Sequence, residues 1–164
     1  MKTPPRESRV RVLELIELYR RTRYEVTLPQ GTLATLCIGE PAPPMLARWI
    51  GADGFAIYLT ACNPHSVALT KAQNDSRLAR LRTRLRALGA RWLEGVAGIE
   101  EDTWLEPSLL VGGVPAARCD RLAFEFEQNA SVGVDASAPA RLRIYRQDWR
   151  SALHGGSDID WIER

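Results

Sequence analysis

The stretch from Thr70 to Gly89, TKAQNDSRLARLRTRLRALG, constrains the fold of this chain more than any other. Thr70 and Gln73 make a T-x-x-Q capping box, which satisfies the first unpaired amides of a helix. Leu78, Leu81, Leu85 and Leu88 then step by 3, 4 and 3, the spacing of a single buried helical face, and Gly89 provides the stop. The spacing predicts a helix over residues 71–88. The preceding run, FAIYLTA, is too short and too rich in Phe, Ile, Tyr and Thr for a helix and reads as a buried strand. RWLEGVAGI and EPSLLVGGV read as two further strands, joined by the acidic loop Glu100-Glu101-Asp102. A capped amphipathic helix set between strands calls for helices packed on a sheet.

The flanking sequence extends this pattern. Val12, Leu15, Ile16 and Tyr19 recur at i, i+3, i+4 and i+7, which predicts an N-terminal helix with Arg11, Glu14, Glu17 and Arg21 facing water. In TRYEVTLPQGTLATLCIG, alternating residues around Pro29-Gln30-Gly31 predict a hairpin whose short second strand ends at Gly39. A short helix near residues 44–50 is stopped by Gly51. Pro115 opens a helix in which Cys119, Leu122 and Phe126 share a face, Gln128-Asn129 closes it, and ASVGVDA and RLRIYR supply two more strands around a Ser-Ala-Pro turn. From residue 55 onward the order is strand, helix, strand, strand, helix, strand, with one extra strand. That is the split βαβ, ferredoxin-like order (β-α-β-β-α-β), and it predicts a sheet covered on one face by helices, extended by the N-terminal helix and hairpin. The expectation is a single α+β domain over residues 1–146. Residues 147–164, QDWRSALHGGSDIDWIER, read as a polar, loosely attached tail with a Gly-Gly break.

Bulk properties limit the function classes. A chain of 164 residues suits one domain with a sizeable core. A net charge of +2 is too small for a generic polyanion binder. Cys37, Cys62 and Cys119 are odd in number and lack C-x-x-C spacing, and His65 and His154 are the two histidines. No metal site and no cofactor is therefore expected. The N-terminus has no signal-peptide core, and nothing approaches the roughly 20 apolar residues of a membrane span. A cytoplasmic location with buried, reduced cysteines is the expectation.

Four polar motifs stand at the mouths of the predicted elements: Asn63-Pro64-His65-Ser66, Asn74-x-x-Arg77, Glu106-Pro107-Ser108 and Gln128-Asn129-Ala130. Each has a plain structural role, since Asn-Pro after a strand is turn chemistry and Gln or Asn after a helix is a cap. Together they outline a crevice. Asn74 and Arg77 share one side of their helix, and Arg77 lies four residues before Leu81, near the core-facing edge. A guanidinium there needs a carboxylate, an anionic ligand or water. It either pairs with Glu106 as a structural ion pair or holds a small anionic ligand, such as a nucleotide or phosphorylated metabolite, at the rim of a pocket. Asn63, Ser66, Asn74, Ser108, Gln128 and Asn129 would then read the hydrogen-bonding edges. Ser66 or Ser108 with His65 and Glu106 has the composition of a triad, but there is no G-x-S-x-G elbow and no P-loop. For any acid–base chemistry, Glu106 is the first candidate and His65 the second. Residues 71–91 carry seven basic side chains and one acidic. That surface offers a rival function, contact with nucleic acid or an acidic protein partner, although no aromatic residues interleave the arginines. A solvated helix paired with acidic segments elsewhere is the plainer account.

TACNPHS, NDSRLARLRTRLRALGARWLEG, WLEPSLLVGG and FEFEQNASV, in that order, resemble the bacterial family known as domain of unknown function 3293. That family shows a T-A-W-N-P-x-S turn after an apolar strand, then an N-x-x-R helix, a W-x-E-x-S strand and a gQNAv segment. With YRRTRYEV and LCIGEPAP upstream, the resemblance covers about residues 19–146. It implies that Asn63, Pro64, Ser66, Asn74, Arg77, Glu106, Ser108, Gln128 and Asn129 are the positions of interest, in a bacterial, cytoplasmic, stand-alone protein. It implies no activity. Cys62 stands where the family has Trp, so an aromatic contact is either lost from the site or replaced in the core by neighbours such as Trp92 or Trp104.

Overall fold

The computed structural model describes residues 6–51, 54–99, 105–153 and 155–164. The acidic loop Glu100-Glu101-Asp102, Trp104 and His154 lie outside the described residues. Helix α1 spans Arg9–Arg21 and is followed by the hairpin of β1 (Arg23–Thr27) and β2 (Leu33–Leu36). Next come α2 (Pro44–Ile50), β3 (Phe55–Leu59) and α3 (Lys71–Ala87). Strands β4 (Arg91–Gly98) and β5 (Leu105–Gly112) precede α4 (Ala116–Glu125), and β6 (Ala130–Asp135), β7 (Arg141–Ile144) and β8 (Ile159–Trp161) complete the order. The capping box at the start of α3 forms as expected. Gln73 N donates to Thr70 Oγ1 at 3.3 Å, and Thr70 N donates to Gln73 Oε1 at 3.0 Å.

The strands make one sheet in the order β2-β1-β4-β5-β3-β6-β7-β8. Neighbours are antiparallel except for β7 and β8, which run parallel. Strand β5 is inserted between β3 and β4, the two strands that α3 connects, and the N-terminal hairpin adds to the β4 edge.

Alternation along the central strands divides the core in two. Ala56 and Tyr58 of β3 and Leu110 of β5 face α1 and α2, with Val12, Leu15, Ile16, Leu46 and Ile50. Ile57 and Leu59 of β3, with Leu109 and Val111 of β5, face α3 and α4, meeting Leu78, Leu81, Leu85, Cys119 and Leu122. Helices therefore cover both faces, where the sequence pattern led us to expect one. The reason lies in β3 and β5, which are apolar at successive positions and would expose a hydrophobic face if only one side were covered.

The tail is a second correction. Instead of hanging loosely, residues 147–164 return to the sheet. Trp149, on a single 3-10 turn at Gln147–Trp149, is fully buried in the α1 half of the core. Leu142, Arg143 and Ile144 of β7 pair with Ile159, Asp160 and Trp161. Arg20 of α1 donates to both carboxylate oxygens of Asp158, from Nε at 2.7 Å and from Nη2 at 2.9 Å. Trp149, Ala152 and Ile159 follow neither a helical nor a strand period, so their burial has no periodic signature. Among the described residues, no helix is long and apolar enough to cross a membrane.

Candidate functional site

Beyond β3 the chain makes one 3-10 turn at Pro64–Ser66. Asn63, His65 and Ser66 all have left-handed φ values, of 44°, 52° and 60°. A non-glycine residue in this region costs on the order of 1–3 kcal/mol and persists only where its surroundings hold it. Here the hold is an exchange of hydrogen bonds with α3. Asn63 N donates to Asn74 Oδ1 at 3.0 Å, while Asn74 Nδ2 donates to Asn63 Oδ1 at 2.9 Å. Leu69 N donates to the same Asn63 oxygen at 3.0 Å, and His65 N donates to Glu127 O at 2.8 Å. With its oxygen accepting twice, the Asn63 amide has one orientation. Its Nδ2 donates to Glu106 Oε2 at 2.7 Å.

Glu106 lines a cavity of about 300 Å³ between α1 and the sheet. Leu15 and Leu18 of α1 and Ala97, Val132 and Leu142 of the sheet form apolar walls. Asn63, Ser66, Ser108, Gln128 and Asn129 also line it, so six of the residues singled out in the sequence meet in one place. Glu106 has partial access to solvent, and the low polarity around its carboxyl group pushes its pKa up to about 7, against the stabilising donation from Asn63. Ser108 Oγ donates to Glu106 O at 3.1 Å. Arg146 Nη1 donates to Asn129 Oδ1 at 3.1 Å, which turns Asn129 Nδ2 toward Ser66 Oγ at 3.0 Å. Ser66 Oγ lies in turn 3.2 Å from the Tyr19 hydroxyl.

Tyr19, Tyr24 and Tyr58 line the cavity too, and sequence reasoning had not assigned them to the site. Burial raises the pKa of all three, so their hydroxyls are neutral across the physiological range. Tyr24 and Tyr58 meet edge to face with ring centroids 5.2 Å apart. The Tyr58 hydroxyl donates to Glu25 O at 3.1 Å, and glycine at position 95 makes this possible. A Cβ there would stand 2.8 Å from the hydroxyl and 2.5 Å from Glu25 O. Tyr19 carried a sequence signal, its place on the buried stripe of α1, but Tyr24 and Tyr58 looked like ordinary strand residues. Arg146, only 3% exposed, had no signal beyond its position after an apolar strand.

Four singled-out residues do not line the cavity: Pro64, which opens the 3-10 turn, and His65, Asn74 and Arg77. Asn74 acts on it through Asn63. Arg77 does not pair with Glu106 and does not reach the space where an anion would bind. Its Nε donates to Ala61 O and its Nη2 to Phe126 O, both at 2.6 Å, and its Nη1 lies 3.9 Å from the Glu127 carboxylate. The reason is topological, because α3 packs on the sheet face opposite the one from which Glu106 and Ser108 project. Arg77→Ala should therefore destabilise the fold by about 2–4 kcal/mol, the scale of two lost charge-assisted bonds and an orphaned carbonyl. Urea denaturation would measure this, and a loss under 0.5 kcal/mol, roughly that of a surface change, would contradict the bracing role. His65 places its ring Nε2 3.6 Å from Glu127, so Ser66, His65 and Glu106 form no triad.

The arginines of α3 are largely engaged within the chain. Arg82 makes a two-pronged pair with Glu94, Nε at 3.1 Å and Nη2 at 2.7 Å, and Arg84 meets Glu125 at 2.9 Å. Arg80 lies over the ring of Phe126 and Arg86 over that of Trp92. Cys62 is buried with its Sγ 3.8 Å from Pro107 O and does not line the cavity. Among the described residues, no cluster of His, Cys, Asp and Glu is placed to hold a metal ion.

Residues 59–131, which run from the end of β3 to the start of β6, match the model of a family described as Protein of unknown function (DUF3293). Comparison with curated proteins and with solved structures gives no match.

Proposed function

We propose that this protein, which carries a domain of the DUF3293 family, binds a small organic molecule in the cavity between α1 and the sheet, with Glu106 and Asn63 holding its polar end. The observation that carries this reading is the Glu106 carboxyl group. It lines a cavity at the small end of the ligand-site range, and its one hydrogen bond among the described residues comes from Asn63. A carboxyl group with a pKa near neutrality in such a place is costly unless a ligand uses it. The left-handed Asn63–Ser66 turn adds stored strain at the same spot. We read β4-β5-β3-β6 as the split βαβ, ferredoxin-like unit, which gives the site a rigid sheet to stand on. We place the protein in the cytoplasm, where its three free thiols would remain reduced.

The phosphorylated ligand expected from Arg77 fits this cavity poorly. Among the described lining residues Arg11 is the one cation, and it is exposed and 3.8 Å from Glu14. We keep the binding site and set the anion aside. A thermal-shift screen of small neutral and basic molecules should give hits with the wild type and none with Ala97→Trp, whose new ring would occupy the cavity. Hits that survive Ala97→Trp would place binding elsewhere and end this reading.

A further inference from the structure

We infer that the ligand of this cavity is an organic ammonium ion, a small apolar skeleton bearing one protonated amine that Glu106 accepts. The inference rests on the binding-site reading above and comes from where the polar protons of the lining are already directed.

Asn63 Nδ2 is taken by Glu106, and Gln128 Nε2 by Cys62 O at 2.9 Å and Phe126 O at 3.1 Å. The Tyr24 hydroxyl donates to Tyr19 O at 2.8 Å, and the Tyr58 hydroxyl to Glu25 O. Thr22 Oγ1 donates to Leu18 O and Thr60 Oγ1 to Pro107 O, both at 2.8 Å. Ser108 donates to Glu106 O, and Asn129 Nδ2 to Ser66. Apart from exposed Arg11 and one proton of the Tyr19–Ser66 hydroxyl pair, the polar side chains named here have thus turned their donors inward to the protein, leaving mainly lone pairs, tyrosine rings and a carboxylate for the occupant. A partner for that surface must donate, and an ammonium group offers three donors at one atom. Tyr19, Tyr24 and Tyr58 line the cavity, and aromatic rings attract a cation where it can approach their faces. An ammonium also neutralises the one acidic group among the described residues of the lining, which an alcohol cannot do. Leu15, Leu18, Ala97, Val132 and Leu142 supply the walls for an apolar skeleton.

The groups facing Glu106 make the pH dependence simple. Tyr19 on α1, Tyr24 on β1, Tyr58 on β3 and Cys62 just beyond β3 are all raised by burial and stay neutral up to pH 8. Glu7, ahead of α1, is 3.5 Å from Arg146, and Arg11 is exposed beside Glu14. Of the described residues that line the cavity, Glu106 is then the one that changes charge between pH 6 and 8.

The test compares three probes on one skeleton: cyclohexylmethylamine, cyclohexylmethanol and cyclohexanecarboxylate. Each is titrated calorimetrically at pH 6 and pH 8 into the wild type, Glu106→Gln and Ala97→Trp, after thermal unfolding has confirmed that each variant folds. The amine should bind best, and about tenfold more tightly at pH 8 than at pH 6, because Glu106 must first release its proton. Glu106→Gln should abolish both the binding and its pH dependence. If the alcohol or the carboxylate binds as tightly as the amine and loses binding in Ala97→Trp, the cavity is a ligand site but the ammonium assignment is wrong. If no probe binds, or if binding persists in Ala97→Trp, the ammonium assignment and the cavity reading both fail.

Discussion

Glu106→Gln should make the protein more stable above pH 7, by about 2–3 kcal/mol. Most substitutions at a partly buried polar position destabilise, so the sign is distinctive. The folded protein holds the Glu106 proton up to about pH 7, whereas an unfolded chain releases it near the ordinary glutamate value. Between those limits the native state binds more protons, so stability falls as pH rises and the full penalty is present above pH 7. Glutamine carries no charge to desolvate, and its amide oxygen can still accept from Asn63. At about 1.4 kcal/mol per pH unit the gap amounts to about 3 kcal/mol, which water entering the cavity would trim. For a chain of this length that is a rise in Tm of about 5–10 °C. The gain should shrink to about 1 kcal/mol at pH 5 and vanish below about pH 4, where the unfolded chain is protonated too. Thermal melts at pH 5, 6, 7 and 8 would settle the matter, and parallel curves for the two proteins would refute it. A wild-type residue that weakens its own fold at neutral pH is characteristic of a position kept for function.

The second large effect is at the other end of the chain. Trp149→Ala should cost about 3–5 kcal/mol, the range for emptying a fully buried aromatic site. Trp149 shares the α1 half of the core with Val12, Leu15 and Ile16, and the Arg146 guanidinium lies 5.1 Å from its ring centre. Loosening Arg146 would in turn release Asn129 and the Ser66 hydroxyl, so ligand affinity should drop along with stability. Denaturant titration beside the exposed control Arg150→Ala would show the contrast. A cost below 1 kcal/mol would mean that residues 147–164 are the appendage their polarity suggests.

What could be read from the sequence was whatever is set by neighbours along the chain. The α3 helix was legible because its capping box spans four residues and its leucine stripe needs no partner to be recognised. The convergence of Asn63, Ser66, Glu106, Ser108, Gln128 and Asn129 was legible as polar residues at element mouths, since such positions meet wherever the elements share a sheet. The direction of Arg77 was not. Helical spacing places a side chain on one side of its own axis, but the sheet face over which that side sits depends on the handedness of a crossover. Tyr24 and Tyr58 stayed hidden for a related reason: a tyrosine in a strand gives no sign of whether its ring packs against a helix or borders a void. Trp149 was masked by polar residues around it, because a single buried anchor leaves no periodic trace.

The clasp between Arg20 and Asp158 bears on how the protein is made. Asp158 is made 138 residues after Arg20 of α1, and Trp149 and Arg146 only a little sooner. At roughly 5–20 residues per second of synthesis, the apolar side of α1 must wait on the order of ten seconds for the partners that fix it. During that interval the sheet strands already made could pair while one cavity wall remained unfastened. A nascent or truncated chain would therefore possess Glu106 and Asn63 without a finished pocket around them, and binding competence would arrive only with the last strand.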